Sequence, residues 1–321
     1  MSEPALAASM RQNGSAPFLQ MEDVALRYGG ADGTLALENT TLSVERGEFA
    51  AVVGPSGCGK SSLMKLVTGL LACTAGSIRV AGSTVNGPLK IVGMAFQNPT
   101  LLPWRNTLLN TMLPLEIVRP HRDRLRQQWE QYVAQAKELL AAVGLKGFED
   151  MQPWMLSGGM QQRASLCRAL IHDPALLMLD EPFGALDAFT REELWGVLQN
   201  LWLERKFTCV LVTHDLREAA FLADRIFVMS ARPGRIIANH PVELPRPRNV
   251  ESTFEKDFID LVHLIRSEIS RVRGEPLAAP AAVWEGTGGV GLFVLAGADG
   301  VVPSAASSFR SRSSSARIRF S

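Results

Sequence analysis

The sequence predicts an α/β fold built on a mostly parallel sheet, and two patterns support this prediction. Short apolar runs recur between turn residues, and several are apolar on both faces, as expected of strands that helices cover on both sides. These runs span residues 49–54, 91–96, 175–180, 209–213 and 225–229. Helical patterns separate them, notably over residues 60–70 and 125–143. Alternating strands and helices are typical of parallel sheets with crossover helices.

A central α/β domain is predicted over residues 18–250. Between about residues 98 and 170 the strand patterns stop and helical patterns dominate. We therefore expect a helical subdomain inserted in the α/β domain rather than a separate domain. After Arg235 the pattern of strands and turns loosens, and no strand is assigned there.

The two ends of the chain are predicted to differ from this domain. An amphipathic stretch over residues 254–272 predicts a C-terminal helix within residues 251–273. Residues 1–17 are small and polar, and residues 274–321 are rich in Ala, Gly and Ser. Segments of this composition bury little apolar surface, so we expect both to be disordered.

The overall charge and the cysteines exclude several classes of protein. Among 321 residues, 33 basic side chains balance 32 acidic ones, which argues against attraction of the whole surface to nucleic acid or to an anionic membrane. The four cysteines are far apart and form no CxxC pair, so neither a disulfide framework nor a zinc site is expected. They are Cys58, Cys73, Cys167 and Cys209.

No stretch reaches the roughly 18–20 apolar residues that are needed to span a bilayer. The first residues include Glu3 and lack the apolar core of a secretory signal. We therefore expect a cytosolic chain that acts at a membrane only through a partner.

A glycine-rich segment after the first core strand predicts a phosphate-binding loop. Residues 54–61, GPSGCGKS, fit the pattern GxxxxGK[ST] between a predicted strand and a predicted helix. Successive backbone N–H groups and the helix N-terminus would face a phosphate, Lys60 would reach the β- and γ-phosphates, and Ser61 would bind Mg²⁺. The predicted nucleotide contacts are Gly54, Pro55, Ser56, Gly57, Cys58, Gly59, Lys60, Ser61 and Ser62, with Cys58 a small filler rather than a nucleophile.

Two acidic residues end the apolar run LLMLDE of residues 176–181. The strand would place Asp180 at the carboxyl edge of the sheet, where it can hold Mg²⁺ through water, and Glu181 beside the γ-phosphate, where it can polarise a water. An acidic pair alone is more often a helix cap or a turn, but the upstream phosphate loop favours the nucleotide interpretation. The chain lacks an NKxD motif, so we expect ATP rather than GTP.

A second glycine element, LSGGMQQR, spans residues 156–163 and precedes a predicted helix. Two phosphate cradles in one chain suggest that one of them serves a nucleotide held by another copy. The sequence here resembles the ATP-binding subunit of an ABC (ATP-binding-cassette) transporter, and LSGGM is a variant of the family signature LSGGQ with Met160 at the fifth position. The implied fold is a P-loop NTPase cassette with a parallel core sheet, an N-terminal antiparallel β region and a helical signature subdomain.

Other elements of the family follow in order. The resemblance implies that Tyr28 stacks on adenine, and that Gln97 contacts Mg²⁺ and the attacking water and faces the membrane subunit. It places Asp187 in the D-loop and assigns His214 as the switch histidine that holds the γ-phosphate. Three further stretches, residues 96–105, 187–191 and 231–235, resemble the branch that imports nitrate, sulfonates and taurine. The alternative for the first stretch is that Leu101, Leu102 and Trp104 are ordinary core residues.

The resemblance also implies an assembly. Two copies would pair head to tail, each ATP lying between the phosphate loop of one and the Ser157, Gly158 and Gly159 segment of the other. Glu181 would be the general base. The partners would be transmembrane permease subunits and, indirectly, a periplasmic solute-binding protein, with this chain at the cytoplasmic face of the bacterial inner membrane.

Two alternatives differ in class: a soluble ABC ATPase of translation or DNA maintenance, and a regulatory module that has lost ATPase activity. The single cassette with its short helical insert disfavours the first. Lys60, Asp180, Glu181 and His214 are all present, which disfavours the second. The transported solute stays open at this stage among nitrate, sulfonates, taurine and a pyrimidine precursor.

Overall fold

A six-stranded sheet forms the centre of the computed structural model, which describes residues 16–30, 33–184 and 186–273. Its strands lie in the order β10-β9-β3-β8-β7-β6. They are β3 (Phe49–Val53), β6 (Val92–Ala95), β7 (Leu176–Asp180), β8 (Thr208–Thr213), β9 (Arg225–Met229) and β10 (Ile236–Pro241). All neighbouring strands are parallel except the β9–β10 pair. The predicted mostly parallel sheet is therefore confirmed.

Both faces of this sheet are covered. Every residue of β3, β7 and β8 is buried. Alternate residues along β7 belong to two different apolar clusters: Leu177 and Leu179 to one, Leu176 and Met178 to the other. This is the period-two alternation of a strand with a core on each side.

A four-stranded antiparallel sheet forms one of these covers. Its strands are β1 (Leu19–Tyr28), β2 (Thr34–Val44), β4 (Ala75–Val80) and β5 (Ser83–Thr84), in the order β2-β1-β4-β5. Apolar residues of this sheet, such as Met21 and Leu42, share a cluster with Met64 and with Val210 of the core sheet. The structure thus contains the N-terminal antiparallel β region that the family resemblance implied.

Helices cover the remaining surfaces of the sheet. They are α1 (Lys60–Val67), α2 (Thr107–Met112), α3 (His121–Arg124), α4 (Trp129–Ala142), α5 (Gly158–Leu170), α6 (Ala188–Arg205), α7 (Leu216–Leu222) and α8 (Lys256–Arg273). Short 3-10 turns lie at Leu113–Glu116, Pro153–Met155 and Glu251–Phe254. Helices α2 to α5 lie between β6 and β7, where the helical insertion was predicted.

Several predicted boundaries were wrong. The helix expected over residues 60–70 ends at Val67, because Gly69 turns the chain with a positive φ of 76°. The helix expected over residues 125–143 begins only at Trp129, and β10 lies where no strand was assigned. The predicted C-terminal helix is present, and its Phe258 and Ile265 are buried in the core.

The predictions of disorder concern residues that lie almost entirely outside the described part of the chain. Within that part, no helix combines the length and the apolar character needed to cross a membrane.

Candidate active site

The phosphate loop connects β3 to α1 and has the backbone geometry that its glycines predict. Gly57 and Gly59 have φ values of 74° and 108°, in the left-handed region that side chains other than glycine rarely adopt. A Cβ atom at Gly59 would lie 2.7 Å from Leu37 Cδ2. Gly59 is also the N-cap of α1, so the loop leads directly into a helix N-terminus. This is a strand–loop–helix unit suited to an anion.

Lys60 lies at the first turn of α1, and hydrogen bonds to the loop backbone hold its ammonium group. Its side chain is buried, and Nζ donates to the carbonyl oxygens of Gly54 at 2.9 Å and Pro55 at 3.0 Å. Cys58, within the loop, is buried, and burial raises the pKa of its thiol. A neutral buried thiol packs as a small apolar group, in agreement with the predicted filler role.

Ser61 and Asp180 come together from elements that are 119 residues apart in sequence. Ser61 Oγ donates to Asp180 Oδ1 at 3.2 Å. Burial raises the pKa of Asp180, the Ser61 hydrogen bond opposes this rise, and the neighbouring Glu181 adds to it. A cation beside this carboxylate would offset the cost of its burial. Hydroxyl and carboxylate oxygens are ligands that Mg²⁺ prefers, so this pair fits a magnesium ion.

Glu181 follows Asp180 and is held from two sides. Gln97 Nε2 donates to Glu181 Oε2 at 3.0 Å, and His214 Nδ1 lies 3.0 Å from Oε1. The Glu181 backbone has a φ of 46° and donates its N–H to the Val212 carbonyl at 2.8 Å. Three segments that follow β6, β7 and β8 thus converge on one carboxylate. Such convergence at the carboxyl ends of parallel strands is typical of ligand sites in α/β proteins.

These groups line one cleft of about 420 Å³. Its walls are Ser56, Gly57, Gly59, Lys60, Ser61, Ser62, Gln97, Glu181, His214 and Arg232. Six of the predicted phosphate-loop residues therefore share one concave site with Gln97, Glu181 and His214. Asp180 lies behind this wall, hydrogen-bonded to Ser61. Arg232 was not predicted as a site residue. It lies in the segment 231–235, and its Nη2 donates to the Gly57 carbonyl at 3.3 Å.

A larger cleft of about 600 Å³ lies at the amino ends of the core strands. It contains none of the predicted site residues, and its Arg205 is already paired with Asp173 at 2.7 Å. Because ligands of α/β sheets bind at the carboxyl ends, we assign the site to the smaller cleft.

Tyr28 ends β1 beside this cleft. Its hydroxyl lies 3.0 Å from Ser62 Oγ, and 41% of the residue is exposed. The residue is therefore not a core tyrosine, and part of its surface is free to contact a ligand next to the phosphate loop.

The second glycine element does not line this cleft. Ser157 is the N-cap of α5, and its Oγ accepts a hydrogen bond from Met160 N at 3.3 Å. A Cβ atom at Gly158 would meet nothing within 4 Å, whereas one at Gly159 would lie 2.7 Å from Leu186 Cδ2. The start of α5 thus presents an open helix N-terminus next to the D-loop.

Asp187 in that D-loop caps the following helix rather than contacting the cleft. Its Oδ1 accepts a hydrogen bond from Thr190 N at 3.0 Å, and such hydrogen bonds to Thr190 lower the pKa of Asp187. Asp187, like Ser157, Gly158 and Gly159, therefore lies apart from the cleft of its own chain. Five other predicted residues do not line the cleft but belong to the loop or contact its wall: Tyr28, Gly54, Pro55, Cys58 and Asp180.

Gln162 is a residue of the site that the sequence patterns did not reveal. Its buried Nε2 donates to the carbonyl oxygens of Gln97 at 3.1 Å and Glu181 at 3.3 Å. It lies in the stretch LSGGMQQR, in which only Ser157, Gly158 and Gly159 were predicted as site residues. No feature of composition or spacing distinguishes Gln162 from Gln161. The two differ only in their contacts, since Gln161 donates to the carbonyl oxygens of Pro153 and Leu156 instead.

Known proteins resemble this chain over most of the described domain. A family model described as ABC transporter matches residues 37–184. The aliphatic sulfonates import ATP-binding protein SsuB of Bacillus licheniformis is 44% identical over 220 residues, which cover 68% of this chain and 82% of that protein. The taurine import ATP-binding protein TauB of Escherichia coli is 41% identical, over 71% of this chain and 86% of that protein.

A solved structure agrees with these sequences. A dimeric ATP-binding cassette in a post-hydrolysis state, bound to ADP and Pi, has a TM-score of 0.61 and 29% identity, and the match covers 71% of this chain and 100% of that chain. The chain is more than 40% identical to two import proteins. It also has the phosphate loop, the paired carboxylates and the LSGGM segment in the order of the family. The chain therefore belongs to the ABC transporter ATP-binding protein family.

Proposed function

We propose that this chain is the ATP-hydrolysing, energy-coupling subunit of a bacterial ABC importer. The observation that carries the proposal is the clamped Glu181: Gln97 and His214 each contact one of its carboxylate oxygens at 3.0 Å, at the wall of the cleft that contains the phosphate loop. A carboxylate held in this way can accept a proton from a water that attacks a phosphate bound in the cleft.

In the proposed reaction, ATP binds with its phosphates along the loop of residues 54–62. Lys60 exchanges its two carbonyl partners for phosphate oxygens, and Tyr28 contacts adenine. A water oxygen attacks the γ-phosphorus, its proton passes to Glu181, and the bond to the ADP oxygen breaks. His214 holds the γ-phosphate and the water in position while Gln97 orients the same water.

Magnesium is the metal that the site chemistry favours. Ser61 Oγ and Asp180 would hold it, Asp180 through water, and Gln97 would contact it from the segment after β6. Bound there, the ion would neutralise negative charge that develops on the phosphate oxygens.

A second copy of the chain completes the proposed site. Ser157, Gly158 and Gly159 form a helix N-terminus that its own cleft leaves unused, so they would contact the γ-phosphate of ATP held by the partner, with Asp187 nearby. The cassette bound to ADP and Pi, similar in fold, is dimeric, which supports this assembly. An ATP that bridges two copies stabilises the closed pair by mass action.

The transported solute is proposed from the relatives. Two of them are named as import proteins for aliphatic sulfonates and for taurine, which is itself a sulfonate. We infer a small sulfonate as the solute class, with transmembrane permease subunits as direct partners and a periplasmic binding protein as an indirect one. The chain would act at the cytoplasmic face of the inner membrane. These relatives favour the importer over the soluble ATPase of translation or DNA maintenance.

Substitution of the proposed base tests the activity. We expect Glu181→Gln to bind ATP and to lower the hydrolysis rate by about 10²–10⁴, because a general base contributes that much. The variant would also accumulate as an ATP-bound dimer, measured by size-exclusion chromatography with ATP and Mg²⁺. Glu193→Gln, at an exposed position of α6, is the matched control. Wild-type turnover of Glu181→Gln would exclude Glu181 as the base, and no hydrolysis by the wild-type chain would refute the proposed function.

A further inference from the structure

A small cavity of about 40 Å³ borders the proposed catalytic residues. Glu181 and His214 line it together with Arg191 of α6 and Glu218 of α7. The proposed reaction gives no role to Arg191 or Glu218. A cavity holds a water when its volume exceeds about 10–15 Å³ and it offers two or more polar partners. This cavity satisfies the condition on volume.

Two polar atoms of its lining lack partners among the described residues. They are Arg191 Nε and Glu218 Oε1, and both are buried. An unsatisfied buried polar atom is destabilising, because it has lost its hydrogen bonds to water. Nε is a donor, and a carboxyl oxygen is an acceptor or carries a proton, so each of these atoms can hydrogen-bond to a water. The cavity therefore satisfies the condition on polar partners as well.

Glu218 is also connected to the turn that carries His214. Thr213 Oγ1 donates to Glu218 Oε2 at 2.7 Å and accepts a hydrogen bond from Asp215 N at 3.0 Å. Thr213 and Asp215 are the two neighbours of His214 in the chain. The buried carboxyl group of Glu218 thus holds the Thr213 hydroxyl, and that hydroxyl joins the two neighbours of the residue whose Nδ1 contacts Glu181.

Arg191 closes this network from the neighbouring helix. Its Nη1 donates to Asp215 Oδ2 at 3.1 Å, and its Nη2 donates to the Leu186 carbonyl at 2.9 Å. The D-loop and the His214 turn are therefore attached to the same guanidinium group. Fixed hydrogen bonds of this kind hold a catalytic side chain within a narrow range of positions.

Burial, more than the charges around it, sets the protonation state of Glu218. Burial raises the pKa of Glu218 to about 8, the Thr213 hydrogen bond and Arg191 oppose the rise, and Asp215 and Glu181 add to it. At neutral pH Glu218 is therefore mainly a neutral acid. A neutral acid can both accept the Thr213 hydrogen bond and donate to a water, without adding a second full charge beside Glu181.

We propose that Glu218 is a positioning residue of the ATPase, which fixes His214 through the Thr213 hydroxyl and, together with Arg191, holds a water in the cavity beside Glu181. This inference rests on the proposed function, since the role of His214 comes from it. The water itself does not depend on ATP hydrolysis.

Kinetics of paired variants test the positioning role. Glu218→Ala removes the carboxyl group, and we expect kcat to fall by about 10–100-fold because a small displacement of catalytic groups costs this much. The KM for ATP should stay within about twofold, since no contact of the phosphate loop changes. Glu218→Gln keeps an acceptor for Thr213 and a donor for water, so it should restore most of kcat.

The pH profile adds a readout that a merely structural role would not change. The kcat of the wild-type chain should decline as the pH rises through about 8, where Glu218 ionises. Glu218→Gln should lack this decline, whereas the exposed control Glu193→Gln should keep it. Should Glu218→Ala fail to fold, Thr213→Val against Thr213→Ser makes the same comparison, with loss of kcat expected only for Val.

The outcomes separate this inference from the proposed function. If the wild-type chain does not hydrolyse ATP, the proposed function fails. If it does, and Glu218→Ala and Thr213→Val both keep wild-type kcat, only the positioning role is overturned. A high-resolution crystal structure tests the water directly: density within hydrogen-bond distance of Arg191 Nε and Glu218 Oε1 supports it, and a dry cavity refutes it.

Discussion

The buried Glu218 predicts an unusual dependence of stability on pH. The pKa of Glu218 is about 8 in the folded chain, against an ordinary value of 4.5. Between these two values the unfolded chain has lost this proton while the folded chain keeps it. Folding is therefore disfavoured as the pH rises through this window, because the folded state binds more protons than the unfolded state. The penalty is absent below pH 4.5 and complete above pH 8.

The magnitude follows from the linkage relation. Each pH unit within the window lowers the free energy of unfolding by about 1.4 kcal/mol through this one group. Between pH 5 and pH 8 the loss amounts to about 4 kcal/mol, a large part of the stability of an ordinary domain. Glu218→Gln retains the shape of the side chain and does not titrate. We therefore expect the free energy of unfolding of the variant, relative to that of the wild-type chain, to rise by about 4 kcal/mol over these three pH units.

Urea unfolding of the nucleotide-free chain at pH 5, 6, 7 and 8 measures this difference. Comparison with the wild-type chain cancels the contribution of titrating groups that do not interact with Glu218. The slope of the free energy of unfolding against urea concentration should be equal for both proteins. The control is Glu193→Gln, at an exposed position, whose free energy of unfolding should change with pH as that of the wild-type chain does. If the free energies of unfolding of Glu218→Gln and the wild-type chain instead change equally with pH, Glu218 is ionised or hydrated throughout and is not a neutral buried acid.

Three further substitutions test other parts of the structure. Tyr28→Ala should raise the Kd for ATP about tenfold with kcat at saturation nearly unchanged, since stacking on a base contributes about 1–3 kcal/mol. An unchanged Kd in equilibrium binding would contradict the adenine contact. Gly93→Ala should lower stability by about 1–3 kcal/mol in thermal unfolding, because its Cβ would lie 2.1 Å from the Ala169 carbonyl oxygen. Its control is Gly196→Ala, whose Cβ would meet nothing within 4 Å and which should be neutral or stabilising. Arg248→Met should cost about 3–5 kcal/mol in urea unfolding, because this buried guanidinium donates to three carbonyls at the end of α7 that would lose their partner. A cost below about 1 kcal/mol would show that water replaces these hydrogen bonds.

Sequence patterns predict those parts of the site that local chemistry determines. The phosphate loop needs glycines at Gly57 and Gly59 and a lysine after them, and these requirements are visible in eight consecutive residues. Asp180 and His214 end buried apolar runs. Since parallel strands bring their carboxyl ends to one edge, their convergence could be predicted before the structure was known.

Other features depend on contacts that no local pattern encodes. Glu218 lies in the first turn of α7, where an acidic residue is expected to face solvent and favour the helix N-terminus. Only its packing shows that it is 3% exposed. β10 is mostly half-exposed and contains Asn239 and His240, so its sequence lacks the apolar run that revealed the buried strands. Its pairing with β9 makes it a strand, and pairing is not a property of the segment itself.

Helix α5 connects two parts of the site that sequence patterns assign separately. Ser157 at its N-cap belongs to the element that would contact the partner's nucleotide, and Gln162, on its second turn, holds the carbonyl oxygens of Gln97 and Glu181 in the chain's own cleft. A helix is stiff over this length, so a displacement of its N-terminus also displaces Gln162. Docking of Ser157 on the partner's phosphate would therefore change the position of this chain's own base. In the proposed dimer, this geometry provides a mechanical reason for the two ATP sites to act together rather than independently.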